Sequence, residues 1–180
     1  FKNKIDSIGI IPFCSHLSKE RKISDQNWVK ILSLIPSNKI SLYIFGDNSE
    51  HLLAIKLAKS LYEINNIEKI ILLTKKYNFN EKIQIMLNLD KIYSIDTGYN
   101  HIARILNKKL TSYWGASDPK LMLDKSFTSN EIINYTNLSC SPCVHINNKL
   151  PCDGNNICME IDKTMLDEKI KKANWLINDY

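Results

Sequence analysis

The residues of this chain that could do chemistry fall into two groups: an acid, hydroxyl and glycine turn with basic company, and a cluster of cysteines. The stretch SIDTGYNHIARIL (94–106) sets Asp96, Thr97 and Gly98 where an apolar run gives way to a helical pattern, with His101 one turn further on. A helix start offers unpaired backbone N–H groups at the positive end of the helix dipole, and together these suit a phosphate. Gly98 would let a ligand approach the backbone closely, and Thr97 would add a hydroxyl donor. An acid beside a phosphate repels it, so Asp96 is expected to reach past it to hydroxyl groups or a metal. The ligand this suggests carries both phosphate and sugar. The plainer alternative is that Asp96 or Thr97 only caps the helix and that His101 is a packed or surface histidine.

Two further segments could serve the same ligand. PFCSHLSKERKIS (12–24) gathers Ser15, Lys19, Arg21 and Lys22 between an apolar run and a helix. A basic, hydroxyl-bearing loop at the same end of a sheet as the DTG turn could hold the other side of a diphosphate; a merely exposed basic loop is the alternative. Glu50, just after FGDNS, could accept hydrogen bonds from ribose hydroxyls or simply complement a helix dipole. No G-x-G-x-x-G follows the first apolar run and no P-loop occurs, so nicotinamide-dependent and ATP-hydrolysing readings lose support.

The cysteines lie in CSPCVHINNKLPCDGNNICM, where Cys140, Cys143, Cys152 and Cys158 crowd a polar loop bearing Pro and Gly. The first pair has the spacing of half a tetrahedral thiolate site, in which two sulfurs face one ion at ~2.3 Å. The second pair is spaced more widely than zinc ribbons use. A structural zinc or iron held by four cysteines, one or two disulfides, and unligated thiols all stay open, although disulfides require an oxidising compartment. His145 is a bystander in this reading, and Cys14 a small buried residue.

These residues need a scaffold. SIGIIPF (7–13), ISLYIFG (40–46), KIILLT (69–74), KIYSID (91–96) and KLTSYWG (109–115) are short, apolar runs that read as buried strands. Between them Trp28, Ile31, Leu32 and Ile35 follow a helical period behind Ser24 and Asp25. Leu53, Leu57, Ala58 and Leu61 do so behind Ser49, and Ile102, Ile105 and Leu106 behind the DTG turn. Strands alternating with helices imply a doubly wound, parallel α/β sheet whose ligands sit beyond the carboxyl ends of the strands. A last helix over 162–178, continuing an inner face of Ile161, Met165, Leu166 and Ile170, is expected to close a single domain over 1–180 with its cysteine-rich loop at 139–159.

Composition bounds the rest. At 180 residues one domain can bury roughly two thirds of the surface its unfolded chain exposes. The first residue is Phe1 rather than Met, which suggests the rear part of a longer protein. No run approaches the ~20 apolar residues of a membrane span. The net charge of +5 is spread over segments with acids interleaved, which reads as a solvated face, with phosphates or acidic lipid as secondary partners. Basic residues are not interleaved with aromatics in a patch, so no nucleic acid partner is expected.

Taken in order, a strand ending in a Pro and Ser loop, basic residues before a Trp-bearing helix, FGDNSE, SIDTGYNHIA, YWGASDP, CSPC and CDGNNICM resemble glycosyltransferase family 9, the heptosyltransferases. The resemblance covers nearly the whole chain. It implies the C-terminal half of a GT-B enzyme, a Rossmann-like domain that binds a nucleotide sugar, typically ADP-heptose, for transfer to a lipopolysaccharide core or a protein. It further implies that Asp96 contacts donor sugar hydroxyls, that Thr97 and Gly98 cradle the diphosphate, and that His101 supports the turn. Ser15 with Arg21 or Lys22 would be the phosphate contacts and Glu50 the ribose contact. Transfer with inversion would need no cofactor; the general base would come from an N-terminal acceptor domain missing from this chain. Some protein-modifying relatives hold iron with four cysteines. The implied location is the cytoplasm, with the inner face of its membrane as a contact surface. The rival reading is a non-catalytic interaction module stabilised by a metal at the cysteines, with a degenerate sugar pocket.

Overall fold

A computed structural model of the chain describes residues 5–37, 39–123, 130–144 and 151–161. The strands β1 (Asp6–Ile11), β2 (Ile40–Ile44), β3 (Ile67–Leu72), β4 (Lys91–Ile95), β5 (Leu110–Trp114) and β6 (Glu131–Tyr135) form one sheet in the order β3-β2-β1-β4-β5-β6. Every neighbouring pair is parallel, so each connection must cross over a face of the sheet. The crossovers include helices α1 (Asp25–Ser33), α2 (His51–Leu61), α3 (Phe79–Leu87), α4 (Gly98–Ile105) and the short α5 (Pro119–Met122).

Strand alternation sends neighbouring side chains to opposite faces, and the core divides accordingly. On one face Ile8, Ile10, Leu42, Ile44, Tyr93 and Ile95 pack against Trp28, Leu32 and Leu57 of α1 and α2. On the other, Ile11, Phe45 and Ile92 meet Met86 of α3 and Ala103 of α4. A sheet covered on both faces explains the near-continuous apolar runs of its central strands, and makes the doubly wound expectation correct. No helix among the described residues is long and apolar enough to cross a membrane.

Local chemistry sets the element boundaries. β1 stops at Ile11 because Pro12 has no N–H for the ladder. The Ser24 side chain accepts from the Asn27 N–H and starts α1, and Asn78 with Glu81 forms a capping box at α3. Gly115 follows β5 because a Cβ there would lie 2.6 Å from the Cys158 carbonyl oxygen. Its absence lets the cysteine segment 151–161 lie against the strand end.

Three elements depart from expectation. α3 was not foreseen, because a lysine, Lys82, takes one of its buried positions and breaks the apolar stripe. β6 was not foreseen either; its sequence is EIINY, half polar and only partly buried. The expected inner face of α4 is met in part: Ile102 and Leu106 pack against the core, whereas Ile105 is 60% exposed and Asn100, Ala103 and Arg104 are buried. The expected helix 162–178 lies outside the described residues, as do His145, Met165, Leu166 and Ile170; Ile161 is buried.

The burial of Arg104 on α4 has an electrostatic cause. Arg104 Nε lies 2.8 Å from Glu131 Oε2, with the two side chains 5% and 2% exposed. Ser112 Oγ donates to Glu131 Oε1 at 2.6 Å and accepts from Trp114 Nε1 at 2.8 Å. The pair thus ties the last turn of α4 to β5 and β6. Truncation by Arg104→Ala leaves a buried carboxylate without that partner and should cost about 3–5 kcal/mol in urea unfolding. A loss within about 0.5 kcal/mol, the range of a neutral surface change, would show that the pair does not anchor the helix.

Candidate functional site

The chain runs from β1 through β2 to β3 on one side, then returns to place β4 on the other side of β1. Loops leaving β1 and β4 therefore part in opposite directions, and a crevice opens at their carboxyl ends. A cleft of ≈ 790 Å³ lies there. Ser15, Lys19, Arg21 and Lys22 line it from the loop after β1, Asp47 and Glu50 from the loop after β2, and Thr97, Gly98 and Tyr99 from the turn after β4. Six of the eight residues expected at a donor site thus share one cleft; Asp96 and His101 are not among those lining it.

The mouth of α4 opens on this space. Thr97 is the N-cap, in extended conformation, yet its side chain makes no capping hydrogen bond. The Asn100 and His101 amides turn back to the Thr97 carbonyl at 2.9 and 3.4 Å, and the amides before them have no partner within the helix. Gly98 opens α4, and a Cβ built on it would meet nothing within 4 Å. Neither protein packing nor a left-handed backbone accounts for a glycine here.

Asp96 stands behind the cleft, 2% exposed. Ser117 Oγ donates to its Oδ2 at 2.6 Å and Arg21 Nη1 to the same oxygen at 3.2 Å, while His101 Nε2 lies 3.7 Å from Oδ1. Burial pushes this carboxyl up, but contacts from His101, Ser117 and Arg21 outweigh it and hold the group below the usual carboxylate value. Asp96, read from sequence as a sugar contact, is paired with Arg21 behind the cleft. That guanidinium still lines the cleft, and its buried Nε has no partner among the described residues.

On the opposite wall, Glu50 Oε2 accepts from the Asp47 N–H at 2.8 Å, and burial pushes the Glu50 carboxyl up. Lys82, 5% exposed, reaches from α3 to donate to the Gly46 carbonyl at 2.8 Å. Its ammonium also lies 3.7 Å from Asp47 Oδ1 and 5.8 Å from the centre of the Tyr99 ring. Tyr99 stacks with Phe79, and its hydroxyl is pushed up to about 12 by burial and by Asp47. Sequence reasoning missed Lys82, Tyr99 and Ser117. A lysine in a helix reads as solvated, and nothing local marks Ser117 as the partner of a residue in another strand's loop.

The cysteines are all unbridged. Cys143 and Cys158 are buried, and burial, with the charges of the neighbouring thiols adding, pushes both up, Cys158 to about 11. The four are near enough to act on one another electrostatically. Among the described residues, however, no group of three or more His, Cys, Asp or Glu is arranged to hold a metal. The expected four-cysteine zinc or iron site is thus not supported among the described residues. The buried pair, Cys143 and Cys158, sits in the apolar core. No chemical step is assigned to a metal here.

Residues 2–153 match the family model described as glycosyltransferase family 9 (heptosyltransferase). No curated protein matches the sequence. Among solved structures, the fold is similar to ADP-heptose LPS heptosyltransferase II of E. coli, with a TM-score of 0.63 and 14% identity over 82% of this chain and 44% of that one. It is also similar to E. coli heptosyltransferase WaaC with ADP-2-deoxy-2-fluoro heptose, with a TM-score of 0.57 and 14% identity over 76% of this chain and 39% of that one. A family 9 glycosyltransferase from Veillonella parvula gives a TM-score of 0.55 and 13% identity over 74% and 36%. The chain spans less than half the length of these structures.

The Asp96 anchor has a pH signature. Its folded pKa lies below the unfolded value of about 3.9, so its stabilisation is complete above that value and is lost as pH falls through the folded pKa. Asp96→Asn should destabilise the protein at pH 7 by about 1–3 kcal/mol in urea unfolding. The gap from wild type should narrow as pH drops below about 4. A gap of constant size from pH 7 to pH 3 would show that the carboxylate does not anchor as an anion.

Proposed function

The chain belongs to glycosyltransferase family 9, and from that premise we propose that its cleft grips the diphosphate of a nucleotide sugar as the donor-binding half of a transferase. The observation that carries the reading is the empty space beside Gly98 at the start of α4, next to a Thr97 hydroxyl that caps nothing. Helix-end amides, the Thr97 hydroxyl, Ser15 and the Arg21 and Lys22 side chains converge on that space. Together they offer the geometry and charge a diphosphate requires. Glu50, across the cleft, is the ribose acceptor. Asp96 and His101 act from behind, by holding Arg21 and the turn.

The donor we infer is ADP-heptose or a close analogue, in keeping with the ADP-sugar named for the E. coli structure. When the bond from the anomeric carbon to the diphosphate breaks, negative charge grows on the departing oxygen. Preorganised amides and Arg21 would stabilise that charge more than the ground state, which is leaving-group catalysis without a metal at the diphosphate. The acceptor hydroxyl, on a lipopolysaccharide core or a protein, attacks the opposite face and inverts the centre. The base that deprotonates it belongs to an acceptor half outside these residues. Transfer would take place in the cytoplasm, with acceptor lipid at the inner membrane face. The cysteines have no part in this scheme.

Gly98→Ala separates binding from folding. Replacing a helical glycine by alanine should leave thermal stability unchanged or raise it by up to about 1 kcal/mol. The added methyl occupies the ligand's side of the helix mouth. ADP affinity by calorimetry should fall about tenfold, the equivalent of about 1.4 kcal/mol of clash. Equal affinity in the two proteins would remove the helix mouth from the site. Wild-type protein that does not bind ADP would favour the rival reading of an interaction module.

A further inference from the structure

The cysteine segment reaches the basic loop of the cleft through one contact and helix α1 through another. Asn156, with a left-handed φ of 48°, donates its Nδ2 to the Lys19 carbonyl at 3.1 Å. The same carbonyl accepts the Lys22 N–H at 3.1 Å, closing the turn that carries Arg21. Four residues beyond Asn156, Glu160 Oε2 accepts from Nδ2 of the buried Asn27 at 3.1 Å and fixes the segment to α1. Between these two, Cys158 and Met159 are buried, with Cys158 seated on Gly115.

The backbone at Cys143 and Val144 supports the same loop from behind. The Cys143 and Val144 amides donate to the Ala116 carbonyl at 2.9 and 3.1 Å. The next residue is Ser117, whose hydroxyl holds Asp96, which in turn holds Arg21. Such outside support has a physical reason. Lys19, Arg21 and Lys22 put three cations around one acid, Glu20, in four residues, and the net positive charge left over repels itself at this spacing. The turn is also interrupted at Ser18, whose backbone is not helical. Local structure alone holds this loop weakly.

We propose that residues 151–161 are a positioning strut for the basic loop, with Asn156 as the contact residue, and that the order of this segment sets how tightly the cleft holds a diphosphate. The consequence for affinity rests on the nucleotide reading of the cleft; the strut itself does not. Coupling of this kind is reciprocal, so a diphosphate that orders the loop also orders the cysteine segment.

Asn156→Gly tests it, because glycine tolerates the left-handed backbone and removes only the side-chain donor. Amide hydrogen exchange at residues 18–22 should become faster while the amides of β1, β2 and β4 keep their protection. ADP affinity should fall roughly threefold to tenfold, the worth of one hydrogen bond, with adenosine affinity, which needs no diphosphate contact, unchanged. Asn156→Asp keeps the shape but lacks the donor, and should behave as the glycine variant does. Unchanged loop exchange overturns the strut whether or not ADP binds, and so does faster exchange throughout the sheet, or wild-type behaviour of the aspartate variant. Wild type that binds no ADP rejects the nucleotide reading instead, and loop exchange then decides the strut.

Discussion

A carboxylate taken out of water must be paired, because an isolated buried charge costs several kcal/mol. Asp96 is such a group, and its partners come from three places far apart in the chain: Arg21 after β1, Ser117 after β5 and His101 within α4. Satisfying one acid therefore fixes the relative positions of the basic loop, the end of β5 and the helix mouth. The cleft exists in its observed shape because these loops cannot move apart without stranding that charge. The parallel sheet brings the loops to one edge, and the ion pair locks them there.

The opposite wall uses the same logic with the signs exchanged. Lys82 is buried on α3 and its ammonium is satisfied by the Gly46 carbonyl, with Asp47 close by. Its position determines where the loop after β2 sits, and Tyr99 fills the gap between that loop and α4. Two buried charges of opposite sign, one on each side of the crevice, thus hold its walls. Both are held by protein partners, so a change at either is expected to act through geometry.

Legibility from sequence followed the range of each interaction. The apolar runs of β1, β2 and β4 and the DTG turn announce themselves locally, and the topological rule then places the cleft beyond their ends. Ser15, Arg21, Lys22, Glu50, Thr97 and Gly98 could be gathered on that basis. The function of Asp96 could not, because its partners lie 75 and 21 residues away in sequence. Lys82 and Arg104 misled for a related reason. A charged residue in a helical window reads as the solvated side, and only a distant carbonyl or carboxylate turns it inward. The cysteine spacing suggests a metal, while the core contacts of Cys143 and Cys158 come from residues the local pattern cannot show and neither support nor replace that reading.

Pairing Arg21 with Asp96 raises the question of whether it spoils the cleft for an anion, since the carboxylate offsets the cation's charge. Geometry argues otherwise. A guanidinium has five N–H donors in a planar fork, and Asp96 takes Nη1, leaving the fork held in one orientation with donors to spare. For the diphosphate proposed above, what the site would lose in net attraction it would regain in preorganisation, because an arginine already fixed gives up little rotamer freedom on binding. Attraction at longer range falls to Lys19 and Lys22, which line the same cleft and whose field salt screens over about 10 Å. Specific grip and general attraction are thereby assigned to different side chains of one loop.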